Sequence, residues 1–166
     1  MNVPRHRFAA PSKGLLIDAN LLSVVLIGLL GRGEIERFKR TRSYTGEDAL
    51  AIDGLVGQFG WVCTTTHVIA EVSNLLDWLD PSKRTTALSH LAAFAQSSRE
   101  ICSPVTEIVR TPVYFKLGIT DAALCLAADQ YPLVLLTADL PLYQYASGLR
   151  VEAVNFNHIR QEWLFG

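Results

Sequence analysis

The chain has 166 residues, which is enough for one domain whose core needs neither disulfides nor a structural metal. Its formal net charge is −1 at pH 7, so the chain has no bulk attraction for nucleic acid, and a polyanion would need a local basic patch or bound cations. The three cysteines, Cys63, Cys102 and Cys125, are scattered and odd in number. They indicate reduced, mostly buried thiols in a cytoplasmic protein and exclude a disulfide framework or a zinc site.

The apolar run over residues 21–31 is too short to span a bilayer, which needs about 20 apolar residues. Asp18 and Asn20 stand directly before this run, and no small-residue cleavage site follows it, so a signal peptide is not expected either. We predict a lead-in over residues 1–13, a single domain over 14–166, and no membrane partner.

Strands and helices alternate along the first half of the chain. An apolar run predicts a buried strand over 14–18, and residues 19–30 predict a helix that is apolar on nearly all sides. Basic residues are concentrated in 31–60, which we interpret as a helical insertion, and Pro81 is expected to end a helix. The other elements predicted here are helices over 48–59, 66–79 and 82–98 and a strand over 61–65.

The same alternation continues in the second half. Pro112 predicts a break in a helix over 104–116, and Thr120 is a plausible N-cap for a helix over 120–128. The remaining predictions are strands over 100–103, 133–137 and 151–154, with helices over 140–146 and from 157. This order predicts an α/β fold with a parallel sheet and helices on both of its faces.

Four acids occupy positions from which they could meet above the carboxyl edge of such a sheet, where ligands bind in open parallel sheets. Asp18 ends the first strand, and Asp139 follows the strand that ends at Thr137. Glu71 lies one to two turns into the helix after the second strand, and Asp121 lies in the first turn of a later helix. Each acid alone has a plainer interpretation, as a helix-capping or dipole-complementing acid or as part of a solvated face, so the joint pattern carries the prediction.

Converging carboxylates need a cation among them, because two unit negative charges about 4 Å apart repel by roughly 4 kcal/mol at an effective dielectric near 20. Ligands that are all oxygen select a hard ion, Mg²⁺ or Mn²⁺, over zinc. Such an ion can activate water and stabilise the leaving oxygen of a phosphodiester. The pattern therefore predicts metal-dependent hydrolysis of a phosphate ester, with Asp18, Glu71, Asp121 and Asp139 as its catalytic and metal-binding residues.

Other phosphate chemistries lack their signatures in this chain. A phosphatase with an aspartate nucleophile would have a second acid two residues after Asp18, where Asn20 stands. There is neither a glycine-rich phosphate loop with lysine nor a Gly-x-Ser-x-Gly elbow in the sequence.

The motifs resemble those of the PIN-domain ribonucleases over roughly residues 14–155, and the toxins of VapBC-type toxin–antitoxin modules are the nearest kind. The matching motifs are Asp18-Ala19-Asn20 after the first strand, Glu71 in the helix after the second, Thr120-Asp121-Ala122 at a helix start, and Leu135-Leu136-Thr137-Ala138-Asp139.

This resemblance implies a three-layer α/β/α sandwich with a parallel sheet of four or five strands, an RNA substrate, and Mg²⁺ or Mn²⁺ as cofactor. The four acids would hold the metal or position the attacking water, with Asn20, Thr120 and Thr137 in supporting roles. The favoured biology is the toxin of a type II toxin–antitoxin pair, with a small antitoxin protein and a homodimer as possible partners. A housekeeping or defence nuclease without an inhibitor and a non-catalytic RNA- or protein-binding module are the alternatives.

The insertion over 31–60 is longer than in the compact toxin-type members, which leaves its substrate channel and any antitoxin groove open. It contains a basic cluster that could follow an RNA backbone or could simply form a solvated helix face. The residues of this cluster are Arg37, Lys39, Arg40 and Arg42.

Overall fold

The computed structural model describes residue 7 and residues 9–165, with side chains described through residue 161. Most of the lead-in predicted over 1–13 therefore lies outside the described residues. The strands are β1 (Gly14–Ile17), β2 (Trp61–Thr65), β3 (Arg99–Ile101), β4 (Leu133–Thr137) and β5 (Ala153–Asn155). The helices are α1 (Ala19–Leu30), α2 (Arg32–Arg37), α3 (Gly46–Val56), α4 (Thr66–Leu76), α5 (Pro81–Ser97), α6 (Val105–Ile108), α7 (Pro112–Leu117), α8 (Ile119–Gln130), α9 (Leu140–Gly148) and α10 (Phe156–Phe165).

The described strands form one five-stranded sheet in the order β3-β2-β1-β4-β5, and every neighbouring pair is parallel. Helices flank this sheet in a three-layer α/β/α arrangement, so the predicted fold class is confirmed. Strand β1 lies at the centre, with Gly14 opposite both Trp61 of β2 and Leu133 of β4.

The strand order places a topological switch point between β1 and β4. From β1 the chain adds β2 and β3 on one side of the sheet, and it then returns to add β4 and β5 on the other side. In an open α/β sheet, the connections that leave the carboxyl ends of two such strands diverge and leave a crevice, where ligands bind. Asp18 and Asp139 lie at the two ends that border this crevice.

The core explains why the chain is so apolar around β1. Leu15, Leu16 and Ile17 are each no more than 1% exposed, as expected for a central parallel strand. Helix α1 packs against α3, α4 and α5, which accounts for its apolar residues on nearly all sides. Within the ranges that the structure describes, no helix is both long enough and apolar enough to cross a membrane.

Two predicted helix boundaries are wrong. Helix α4 ends at Leu76, and Pro81 opens α5 instead of ending the helix before it, because proline is well suited to the first turn of a helix. Helix α8 has Gly118 as its N-cap, not Thr120. Gly118 has a φ of 90°, a conformation that glycine adopts without strain, and this lets the chain turn directly from α7 into α8.

The insertion contains α2 and α3, and α3 begins at Gly46, two residues before the predicted start. A capping box at Thr45 and Asp48 sets this start, since each side chain accepts a hydrogen bond from the backbone of the other residue. Pro112 does separate two helices, α6 and α7, as predicted.

Candidate active site at the carboxyl edge of the sheet

One cavity at the switch point brings the four predicted acids together. It has a volume of about 410 Å³, and its walls come from the start of α1, from α4, from the start of α8 and from the turn after β4. We call it the acidic cavity. Its polar lining residues are Asp18, Asn20, Glu71, Thr120, Asp121 and Asp139.

Asp18 is held rigidly at the end of β1. Its side chain is only 3% exposed, and it caps α1, because Oδ1 accepts a hydrogen bond from the backbone N–H of Leu21 at 2.7 Å. The other oxygen, Oδ2, accepts from the hydroxyl of Thr137 and from the backbone N–H of Ala138 at 3.3 Å. Asp18 therefore joins the carboxyl end of β1 to that of β4.

Thr137 links the two aspartates of the switch point. It is fully buried, its hydroxyl donates to Asp18, and the same oxygen accepts from the backbone N–H of Asp139 at 2.9 Å. Asp139 in turn caps α9, because Oδ1 accepts from the backbone N–H of Leu142 at 2.8 Å. The plainer interpretation of Asp139 as a helix cap thus holds, and the same bond orients the carboxylate at the cavity.

Glu71 and Asp121 reach the acidic cavity from α4 and α8, which pack against each other. Asp121 lies in the first turn of α8, where the helix dipole favours a negative charge. Neither carboxylate has a hydrogen bond or an ion pair with the described part of the chain. Both are therefore available to a ligand in the cavity.

The electrostatics of the cavity oppose full ionisation of these acids. Burial raises the pKa of Asp18 to about 6, and the charge of Asp139 adds to this effect, while the hydrogen bonds from Thr137, Leu21 and Ala138 reduce it. Burial also raises the pKa of Asp121 to about 7, with the charges of Asp139, Asp18 and Glu71 contributing in that order. Because the charges of the other three acids raise the pKa of Asp121, all four carboxyl groups lie close enough to interact electrostatically.

The donor set fits a hard divalent cation with a partly retained water shell. Among the described residues, no three acidic, histidine or cysteine side chains are gathered closely enough to hold an ion directly. Mg²⁺ dehydrates reluctantly, however, and is usually bound through one or two carboxylates and several waters. A cavity of about 410 Å³ lined by four carboxylates leaves room for such a shell.

A second cavity, of about 680 Å³, meets the acidic cavity at Asn20, which lines both. We call it the basic groove. It contains all four residues of the predicted basic cluster together with two aromatic residues, Phe38 and Trp78. Its basic residues are Arg37, Lys39, Arg40 and Arg42.

Sequence reasoning missed two residues near the site. Trp78 lies in the turn after α4, which ends at Leu76, and no helical spacing in the sequence marked it. Tyr44 comes close enough to Asp18 that burial and the charge of Asp18 together raise the pKa of Tyr44 to about 12. No pattern in the sequence marked Tyr44, because its position depends on contacts with residues far away in the chain, such as Phe156 and Arg160.

No protein-family model and no curated protein matches the sequence. Two solved structures do match the fold. PAE2754 from Pyrobaculum aerophilum is 20% identical, with a TM-score of 0.55, over 91% of this chain and 94% of its own. FitAcB from Neisseria gonorrhoeae is 21% identical, with a TM-score of 0.58, over 87% of this chain and 99% of its own. At these identities the likeness concerns the fold alone, the three-layer α/β/α arrangement around a parallel sheet.

The hydroxyl of Thr137 can be removed with little change in shape by the substitution Thr137→Val. We expect the free energy of unfolding to fall by about 2 kcal/mol at pH 8, because a charged, buried carboxylate loses a hydrogen bond. The loss should be smaller at pH 4.5, where Asp18, with its pKa of about 6, is protonated. Urea unfolding of the native chain and of Thr137→Val at both pH values measures the two losses in the free energy of unfolding.

The matched control is Thr64→Val. Thr64 is also a buried threonine near the end of a strand, but its hydroxyl donates only to the carbonyl of Thr65, at 3.5 Å. Equal losses in the two variants, or a Thr137→Val loss that does not depend on pH, would contradict the assigned bond.

The raised pKa of Asp121 makes a prediction about the metal-free protein. The native state binds more protons than the unfolded chain between about pH 4 and pH 7, so this group lowers stability as the pH rises through that window. Asp121→Asn removes the effect. The free energy of unfolding of Asp121→Asn minus that of the native chain should therefore be about 1–2 kcal/mol larger at pH 8 than at pH 4.5, after allowance for solvent screening.

Urea unfolding in the presence of EDTA measures this difference. Asp129→Asn is the control, since Asp129 is an exposed acid on the same helix and lies outside the acidic cavity. A gain for Asp121→Asn that is the same at both pH values would contradict the raised pKa of Asp121.

Proposed function

We propose that the protein is a metal-dependent endoribonuclease that hydrolyses RNA phosphodiester bonds at the acidic cavity. The observation that carries this proposal is that four carboxylates from four separate elements line one cavity at the switch point of a parallel sheet. The PIN-like fold, shared with PAE2754 and FitAcB, supports the same class of reaction.

Asp18, Glu71, Asp121 and Asp139 are the residues that would hold Mg²⁺ or Mn²⁺. When bound, the ion would polarise the scissile phosphate and favour deprotonation of the attacking water. Asp18 is the best oriented of the four, because the hydroxyl of Thr137 and two backbone N–H groups hold its carboxylate in place. Such support keeps a ligand in position without reorganisation during the reaction.

Asp121 has no hydrogen bond or ion pair within the described residues, so its carboxylate is available to hold the ion or to position the attacking water. Asn20 is exposed at the rim of the cavity, so its amide can donate a hydrogen bond to a phosphate oxygen. Thr120, at the start of α8, presents a hydroxyl to the same space.

The substitution Asp121→Asn tests the proposed reaction. We expect it to lower the rate of cleavage of total RNA in Mn²⁺ by about 100-fold or more, because a carboxylate that would hold the ion or position the attacking water is lost. EDTA should stop cleavage by the native chain. Mapping of the new RNA ends measures the activity, and the melting temperature of the variant reports on its folding.

Asp129→Asn again supplies the control and should cleave as the native chain does. Cleavage that persists in EDTA would remove the metal from the proposal. Full activity of a correctly folded Asp121→Asn variant would remove this residue from the site.

The biological setting we propose is the toxin of a two-protein toxin–antitoxin pair. The resemblance of the motifs to those of PIN-domain toxins supports this setting. Expression in a bacterial host should then arrest growth, because cellular RNA is cut. Co-expression of the open reading frame next to the gene should restore growth, and Asp121→Asn should not cause arrest. Active cleavage in vitro without growth arrest would instead support a housekeeping or defence nuclease.

A further inference from the structure

The basic groove is positively charged at short range, although the chain as a whole carries a net charge of −1. Four of its seven lining residues are arginine or lysine, and none is acidic. Arg37 forms an ion pair with Glu34 at 3.3 Å. Lys39, Arg40 and Arg42 have no ion pair with any residue in the described ranges, so their charges face whatever enters the groove.

Three acids close to the groove residues in the chain, Glu34, Asp77 and Asp80, are paired with cations outside the groove. Lys83 lies 2.7 Å from Glu34 and 3.8 Å from Asp80, and Arg84 lies 2.6 Å from Asp77. These pairs leave the groove with an excess of positive charge next to a cavity that carries the opposite sign. A polyanion is therefore the ligand whose charge matches the groove.

Trp78 adds a flat aromatic surface to this charge. Its side chain is 79% exposed, whereas a tryptophan on a protein surface is usually buried over much of its large apolar area. An indole beside several cations is the arrangement with which proteins bind single-stranded nucleic acid, because bases stack on the ring while the cations contact the phosphates. A base in a duplex is already stacked on its neighbours and cannot stack on the indole as well.

Asn20 connects the groove to the proposed reaction centre, since it lines both cavities. A strand that lies in the groove and continues past Asn20 would enter the acidic cavity. An acidic peptide could match the charge of the groove, but it carries no phosphodiester for the hydrolysis proposed at the acidic cavity. A polynucleotide, in contrast, brings to that cavity the phosphodiester on which a metal-dependent hydrolase acts.

We propose that the basic groove binds a single-stranded segment of RNA, with one base stacked on Trp78 and the backbone phosphates contacting Lys39, Arg40 and Arg42. This places the adjoining phosphodiester at Asn20, on the way into the acidic cavity. The proposal rests on the proposed function, because it names the substrate segment and the side chains that bind it.

Binding is measured separately from cleavage, with the full chain in EDTA and a fluorescein-labelled single-stranded RNA of nine nucleotides. We expect Trp78→Ala to weaken binding by about 5- to 150-fold, since stacking of one base is worth roughly 1–3 kcal/mol. Trp78→Phe should retain most of the affinity. The RNA should also quench tryptophan fluorescence in the native chain and do so much less in Trp78→Phe.

The charged residues are tested by the salt dependence of the same binding. Each phosphate contact adds about 0.7 to the slope of log affinity against log salt for a single strand. Arg40→Ala should lower this slope by about 0.7, whereas Trp78→Ala should weaken binding without changing the slope. A nine-base-pair RNA duplex should bind at least tenfold more weakly than the single strand.

Two matched controls are available outside both cavities. Phe115→Ala removes another aromatic residue, which is 78% exposed, and Arg110→Ala removes another exposed arginine. Both should bind the RNA as the native chain does. The groove proposal is overturned if Trp78→Ala binds within twofold of the native chain, if the duplex binds as well as the single strand, or if oligoglutamate of the same length displaces the RNA equally well.

The two proposals can fail independently. If Trp78→Ala loses binding but the native chain does not cleave RNA in Mn²⁺, the groove proposal stands and the nuclease proposal falls. If the native chain cleaves RNA and Trp78→Ala matches it in both binding and KM, the groove proposal falls and the nuclease proposal stands.

Discussion

A buried carboxylate at the meeting point of two parallel strands is the constraint on which this structure depends. Asp18 is only 3% exposed, and removing an ionised carboxylate from water is costly unless hydrogen bonds replace the water. The hydroxyl of Thr137 and the backbone N–H groups of Leu21 and Ala138 supply that replacement. The pKa of Asp18 still rises to about 6, so burial outweighs the hydrogen bonds, and the folded chain retains an acidic site that favours a bound cation.

Structural and functional roles coincide in these acids. Asp18 caps α1 and Asp139 caps α9, and the same hydrogen bonds orient both carboxylates toward the acidic cavity. A helix-capping interpretation and a site interpretation of such a residue are therefore compatible, because the cap restricts the rotamer that the site needs. Asp121 and Glu71 lack such partners in the described part of the chain, which leaves them to respond to a ligand.

Charge is separated over a short distance on this surface. The acidic cavity and the basic groove share Asn20, so the proposed metal site lies next to the proposed RNA-binding groove. Under these proposals, a chain with a net charge of −1 binds RNA through local basic residues. The local charge of the groove, and not the net charge of the chain, governs the attraction of a polyanion, because charges beyond about 10 Å are largely screened at physiological salt.

The sequence by itself determined the alternation of strands and helices and the bounds of α1, β2 and β4. It also determined the position of each acid relative to its helix or strand. These features follow from local periodicity and from short-range capping. Only the tertiary structure decided that Gly118 and not Thr120 caps α8, that Tyr44 approaches Asp18, and that Trp78 joins the basic groove. The positions of Tyr44 and Trp78 depend on contacts between segments that are far apart in the chain. Contacts between residues far apart in the chain leave no periodic pattern in the sequence, and for that reason they could not be predicted from it.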